Sequence, residues 1–258
     1  MQAAYSILAA TALYPLWRAW RANRGTALEH AVLWAAAAWA AWLAAFLSGD
    51  AALGRYLALA LTGCAGVAVL GARRPHVGAW DFVVASLLLI LLLPVAQGWG
   101  RPALSPPYLA FLAATVVFGW LNYLPTRLLP AALVFGAGAG AELARLCGVE
   151  VGGPLLGAAR CLTALSPWVG LACFARQSSA VGAVDREWLW FRDRFGVVWG
   201  QRSREQFNRA AANAGWPVAL SWQGLDVAPE KAPPSEEELL ATFRAVLKRF
   251  GTRQENDQ

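Results

Sequence analysis

The sequence predicts an all-α polytopic membrane protein: six or seven transmembrane helices followed by a small, mainly helical C-terminal tail. Three observations carry that expectation. The chain of 258 residues is 58% hydrophobic and only 15% charged, where a soluble domain of ordinary composition is about a quarter charged. Its apolar residues gather into runs close to the roughly 17–25 residues a helix needs to cross a bilayer. Up to residue 175 most of the arginines sit in the breaks between those runs, largely on alternate breaks, as in a multi-pass protein held in one orientation.

The first run, 2–17, has no basic residue ahead of it, and Arg18, Arg21 and Arg24 come after it. A cleavable secretory signal carries its positive charge first, so this segment is expected to stay. It is short and contains Pro15; lying in the interface, it would leave six spanning helices. The second run, 29–48, sets Trp34, Trp39 and Trp42 among alanines and ends at Ser48-Gly49-Asp50. The third, 53–71, stops at Arg73-Arg74-Pro75-His76, and the fourth, 80–98, gives way to a Gly- and Pro-containing break at 98–107. The fifth, 107–124, turns at Pro125-Thr126-Arg127 into the sixth, 128–147, and the seventh, 155–175, follows a Gly-rich break. Proline punctuates because it lacks a backbone donor, glycine because ordering it costs the most entropy.

Orientation follows from charge. The first, third and fifth breaks hold three, two and one Arg, and positive flanks are retained on the cytoplasmic side. The N-terminus is therefore expected outside and the C-terminus in the cytoplasm, across the inner (plasma) membrane of a bacterium. Trp17, Trp20, Trp80 and Trp120 fall at the expected inner ends, where amphipathic rings settle among headgroups. In the sixth run Gly136 and Gly140 form a G-x-x-x-G pair, a small-residue face on which helices approach closely in lipid. Packing within the chain is its expected use, with a homodimer seam as the alternative.

From residue 176 the material changes. Residues 1–175 carry ten Arg and no Lys against five acids, while residues 176–258 carry ten Arg and two Lys against eleven acids. The net charge of +6 thus belongs to membrane flanks, and no nucleic-acid partner is expected. A juxtamembrane amphipathic helix is expected over about 185–214, with Trp188, Phe191, Phe195 and Trp199 on one stripe. Such a stripe lies among headgroups or packs into a small domain. Gly215-Trp216-Pro217 stops the helix, 217–222 alternates as a short strand does, and 226–234 is a polar, Pro-rich linker. Ser235 and Glu238 then open a capped helix over about 235–250. Its apolar face, with Phe243, Leu247 and Phe250, is expected to be covered by the 185–214 helix or the membrane-proximal surface.

No motif for chemistry stands out. Nucleophile-elbow, zinc-protease, phosphate-loop, dinucleotide and prenyl-diphosphate patterns are missing. Cys64, Cys147, Cys161 and Cys173 are single and far apart, the spacing of inert thiols, so neither a metal nor another cofactor is expected. Ionisable residues in or beside membrane helices are the remaining suspects. His30, His76 and Asp81 fall on the expected inner face and form the candidate catalytic or metal cluster. The bland alternative makes Asp81 a favourable charge at a helix start. Glu142 has Arg145 three residues on, within ion-pair reach, and Arg160 is expected to snorkel outward. The expected function is that of a non-enzymatic scaffold or accessory subunit, whose partners are the bilayer and a cytosolic or peripheral protein met by the tail. A transporter- or channel-like subunit, and an intramembrane enzyme acting on lipid at the inner interface, are the alternatives.

Overall fold

A computed structural model describes residues 2–48, 52–73, 77–98, 104–176, 182–228 and 234–251. The described chain is helical almost throughout. Its helices are α1 (Gln2–Thr11), α2 (Leu13–Asn23), α3 (Glu29–Leu47), α4 (Ala52–Leu70), α5 (Val77–Gln97), α6 (Pro106–Leu121), α7 (Leu129–Leu146), α8 (Gly153–Ala175), α9 (Ala183–Asn213) and α10 (Glu236–Leu247). Strands β1 (Val218–Leu220) and β2 (Leu225–Val227) lie between α9 and α10. Five helices (α3, α4, α5, α7 and α8) are long and apolar enough to cross a membrane, and α6 is apolar but shorter.

Six helices close a ring. In order around it, α2 packs on α3, α3 on α4, α4 on α6, α6 on α7, α7 on α8, and α8 returns to α2. Helix α5 lies outside, against α4 and α6, and turns Phe82 and Leu89 to the surface, as a helix facing an apolar medium does. The α4–α6 crossing brings backbones together: a Cβ added at Gly66 would lie 2.6 Å from the Gly119 Cα, and one at Gly63 would lie 2.6 Å from the Thr115 Oγ1. Small residues permit that approach.

The first apolar run is two helices, and the second reaches Asn23. Pro15 withholds a backbone donor from Thr11, and the chain breaks at Ala12. Trp39 Nε1 donates to the Ala9 carbonyl at 2.9 Å beside that break, and Tyr5 packs edge-on against Phe46 with centroids 5.3 Å apart.

The glycine seam of α7 differs from its expected spacing. Gly136 admits Trp120, whose Nε1 would lie 2.6 Å from an added Cβ, and Gly138 admits Thr163 and Ala159 of α8. At Gly140 an added Cβ would meet nothing within 4 Å. The close approaches are made inside the chain, at Gly136 to α6 and at Gly138 to α8; Gly140, two residues and about 200° further round a helix of 3.6 residues per turn, faces neither.

The tail is a compact unit built on α9. Phe250 meets Phe191, Phe195 and Trp199 at centroid distances of 4.8, 5.0 and 5.2 Å, and Phe243 meets Phe207 and Trp188 at 5.8 and 6.3 Å. Trp188, Phe191 and Phe195 are fully enclosed by protein, which leaves their rings no headgroup contact; of the two uses open to the stripe, packing is the one this burial describes. The capping box at Ser235 and Glu238 starts α10. Strands β1 and β2 form an antiparallel hairpin with Val218 opposite Val227, pinned to α9 by the Asn208 amide on both backbone groups of Leu220. The β2 strand takes up the beginning of the stretch read as linker; residues 229–233 lie outside those described.

Candidate functional site

The loop between α6 and α7 holds a break in α9. Gly196 lies inside that helix at φ 77 and ψ −168, a conformation almost confined to glycine. A break leaves the carbonyls of one arm and the amides of the next without helical partners, and Asn122 meets them. Its backbone carbonyl accepts from the Val197 amide at 2.8 Å, its Oδ1 accepts from the Val198 amide at 3.1 Å, and its Nδ2 donates to the Phe195 carbonyl at 3.3 Å. Asn122 is buried, and a Cβ at Gly196 would lie 2.1 Å from its Nδ2.

Further bonds surround this clasp. The Tyr123 hydroxyl donates to the Arg194 carbonyl at 3.0 Å, and Trp222 Nε1 donates to the Pro125 carbonyl at 2.6 Å. Asp193 Oδ1 accepts from the Arg127 amide at 3.2 Å and from Arg192 Nη2 at 2.7 Å, while the Arg127 guanidinium donates to the Arg176 carbonyl. Trp199 Nε1 reaches the Val69 carbonyl near the end of α4 at 3.0 Å, and the Ala27 amide donates to the Phe250 carbonyl at 2.9 Å. The α2–α3 turn, the end of α4 and the α6–α7 loop therefore meet the tail at one end of the ring. Enclosure there pushes the Tyr123 phenol above the ordinary tyrosine range.

Inside the ring lies a cavity of about 380 Å³, within the span of about 300–1,000 Å³ seen for small-molecule sites. All six ring helices contribute to its wall, which is mostly apolar and includes Trp42, Phe135 and Thr62. Asn23, Tyr123, Phe174 and Arg194 stand at the end nearer the tail.

At the ring's other end, Glu142 is the centre of an arginine cluster. Arg160 Nε lies 2.8 Å from Glu142 Oε1; Arg55 Nε and Arg145 Nη1 lie 3.4 and 4.0 Å from Oε2. The Glu142 side chain is only 1% exposed and that of Arg160 11%. Arg160 thus turns inward to a buried carboxylate and does not snorkel, and Arg145, expected as the partner of Glu142, is the most distant of the three.

Of the candidate catalytic residues, two meet. His30 Nδ1 lies 2.5 Å from Asp81 Oδ2, and Trp34 Nε1 donates to Asp81 Oδ1 at 3.3 Å, so the trio ties α3 to α5. His76 lies outside the described residues. Neither His30 nor Asp81 lines the cavity, and Asp81 sits a full turn inside α5, beyond the helix start assigned to it. Among the described residues no group of three His, Cys, Asp or Glu side chains could hold a metal. The tryptophans divide. Trp17 is exposed beneath the Arg21 guanidinium and Trp20 lies under Arg24, whereas Trp80 covers Gly71 and donates to the Val67 carbonyl, and Trp120 donates to the Ala132 carbonyl.

Sequence reasoning missed Asn122 and Gly196. Their signals were present: a lone glycine inside a helical stripe, and a single amide at the end of an apolar run. Comparison with protein-family models, curated proteins and solved structures gives no match.

Proposed function

We propose that the chain is a non-enzymatic scaffold or accessory subunit of a membrane, with its helical ring in the bilayer and its C-terminal unit held at the cytoplasmic face for a protein partner. The observation that carries this reading is the Asn122 clasp on the α9 break, which fixes the tail in one orientation on the ring. A tail that only trailed from a helix would need no such joint; a surface shown to a partner in one orientation does. Arg24, Arg73 and Arg127 belong to the end at which the tail docks, and positive-inside retention supports a cytoplasmic side for that end. The α1–α2 pair, read as the first crossing, then has its N-terminus outside, in the inner (plasma) membrane of a bacterium. The exposed side of the second α9 arm, with Arg202, Glu205 and Arg209, is the surface offered.

Transport and lipid chemistry have less support. The cavity wall is mostly apolar, which suits neither an ion nor a polar solute, and the His30–Asp81 pair stands apart from it. A photoreactive residue at Glu205 or Arg209 in living cells tests the scaffold reading. A protein adduct is expected from the wild type and its loss from Gly196→Ala, with equal amounts of chain in the membrane. A wild type that gives no adduct, or an adduct that survives the loosened joint, contradicts it.

A further inference from the structure

Helices α2 and α8 are neighbours in the ring, and both run toward the tail. Beyond α2 the Ala27 amide donates to the Phe250 carbonyl, and at the end of α8 the Arg176 carbonyl accepts from Arg127. The two helices meet at Tyr14 and Trp168, whose rings stack with centroids 6.1 Å apart. Arg21 and Arg176 stand seven and eight residues further along, about 11 and 12 Å at 1.5 Å per residue. The two guanidiniums are thus carried to one height.

Aromatic rings hold the arginines of this face. Arg21 lies over Trp17 at 4.9 Å, Arg18 donates to the Tyr14 hydroxyl at 3.3 Å, and Arg194 of the tail lies over Phe174 and Trp190 at 5.1 and 4.7 Å. A ring fixes a guanidinium by its plane and leaves its edge donors pointing outward. Neither α2 nor α8 contains an acidic residue. Among the described residues Arg18, Arg21 and Arg176 pair with no carboxylate, and all three are exposed.

We infer that this face binds an anionic phospholipid of the tail-side leaflet, its phosphodiester between Arg21 and Arg176 and its acyl chains along the outside of α2 and α8. Axes of packed helices stand about 8–10 Å apart, so one phosphodiester takes a forked donor from each side. Tyr14, Trp17 and Trp168 mark the headgroup level, and the exposed Leu13 and Leu165 begin the hydrocarbon. Charge selects the occupant. Arginines without acids in the headgroup layer attract anionic lipid, whereas a choline headgroup brings a cation of its own. The inference rests on the ring lying in the bilayer and not on any protein partner of the tail, so it is read apart from crosslinking at Glu205.

Purified full-length protein in nanodiscs of equal phosphatidylglycerol and phosphatidylcholine, matched in acyl chains, tests this by native mass spectrometry of the lipid that stays bound. Phosphatidylglycerol is expected to be preferred, by about fivefold for each of the two arginines. Arg21→Gln with Arg176→Gln is expected to bring the two lipids to parity. Arg202→Gln with Arg209→Gln, which removes the same charge from the exposed side of α9, is expected to keep the preference. Should the first pair lower the yield of folded protein, Arg21→Lys with Arg176→Lys keeps both charges but loses the forked donors, and is expected to weaken the preference. No preference in the wild type overturns the inference, as does one left unchanged by either pair of substitutions at Arg21 and Arg176. Equal loss from the α9 pair assigns the preference to diffuse charge and overturns it too. In cells, a photoreactive residue at the exposed Ala22 is expected to capture lipid; a protein adduct there gives the face another occupant and also overturns it.

Discussion

Asn122 caps both arms of a helix to which it does not belong, and Gly196 is the residue that makes room for it. The Asn122 amide donates to the Phe195 carbonyl at 3.3 Å and accepts from the Val198 amide at 3.1 Å, while the φ of 77 at Gly196 turns both groups towards it. Any side chain at Gly196 would meet the Asn122 amide 2.1 Å from its Cβ. One loop residue and one glycine thus set the position of the tail.

Replacing Asn122 by alanine leaves the Phe195 carbonyl and the Val198 amide unmet, at about 1–3 kcal/mol for each buried group. The variant is expected to insert normally and to lose resistance to limited proteolysis near residue 196. Gly196→Ala adds backbone strain of about 1–3 kcal/mol to the collision with Asn122, and is expected to be cut faster still. Equal proteolysis of all three chains would show that the clasp contributes nothing.

The Glu142 cluster should respond asymmetrically. Removing one partner from a buried ionic group strands the others and costs about 3–5 kcal/mol, so Glu142→Gln is expected to lower thermal stability in detergent sharply. Arg145→Gln, at the 4.0 Å contact, is expected to change it little. A Glu142→Gln protein as stable as wild type would mean that the arginines are carried by something else.

His30 and Asp81 are both partly exposed, and pairs of that kind contribute about 0–1 kcal/mol. Asp81→Asn is expected to lower the melting temperature modestly and to leave partner crosslinking from Arg209 intact. A fully folded Asp81→Asn protein that is inactive in cells would revive the acid–base reading of the pair.

Tyr123 links the clasp to pH. Burial raises its folded-state phenol above the ordinary tyrosine value of about 10. Stability from the neutral phenol is complete below that value and falls as pH rises through it, because the unfolded chain loses the proton first. Tyr123→Phe is expected to flatten the alkaline loss of stability while giving up the bond to the Arg194 carbonyl. An unchanged slope above about pH 10 would assign the loss to other groups.

Topology is checked by labelling. Cys147 is exposed at the end of the ring away from the tail, and should react with an impermeant maleimide on intact spheroplasts. Arg209→Cys, in a Cys147→Ala background, should react only after permeabilisation. The opposite result would invert the orientation drawn from the arginines.

Much of this architecture was legible in the sequence because lipid-length apolar runs and capping chemistry are local signals. Six of the seven runs correspond to single helices with shifted ends and the first to two helices, Ser235 and Glu238 cap α10 as their spacing implies, and the apolar residues of α10 face α9. The illegible parts depend on partners far away in the chain. Nothing around Gly196 shows that Asn122 would lie beside it, and nothing near Arg160 shows that a buried Glu142 would draw it inward. Gly138 and not Gly140 meets α8 because the face that α7 turns to its neighbour is set by both helices, and the two glycines lie about 200° apart around α7. The cavity is a property of six helices together, and no single segment carries its mark.

Hydrogen exchange at the Val197 and Val198 amides tests the central claim most directly. Both lie at the break in α9 and are held by Asn122 in place of helical carbonyls. If the tail is fixed to the ring at this joint, the two amides exchange as slowly as those in the second arm of α9, and Asn122→Ala releases Val198 first. Fast exchange at both positions in the wild-type protein, with the rest of α9 protected, would contradict a fixed joint and the scaffold reading built on it.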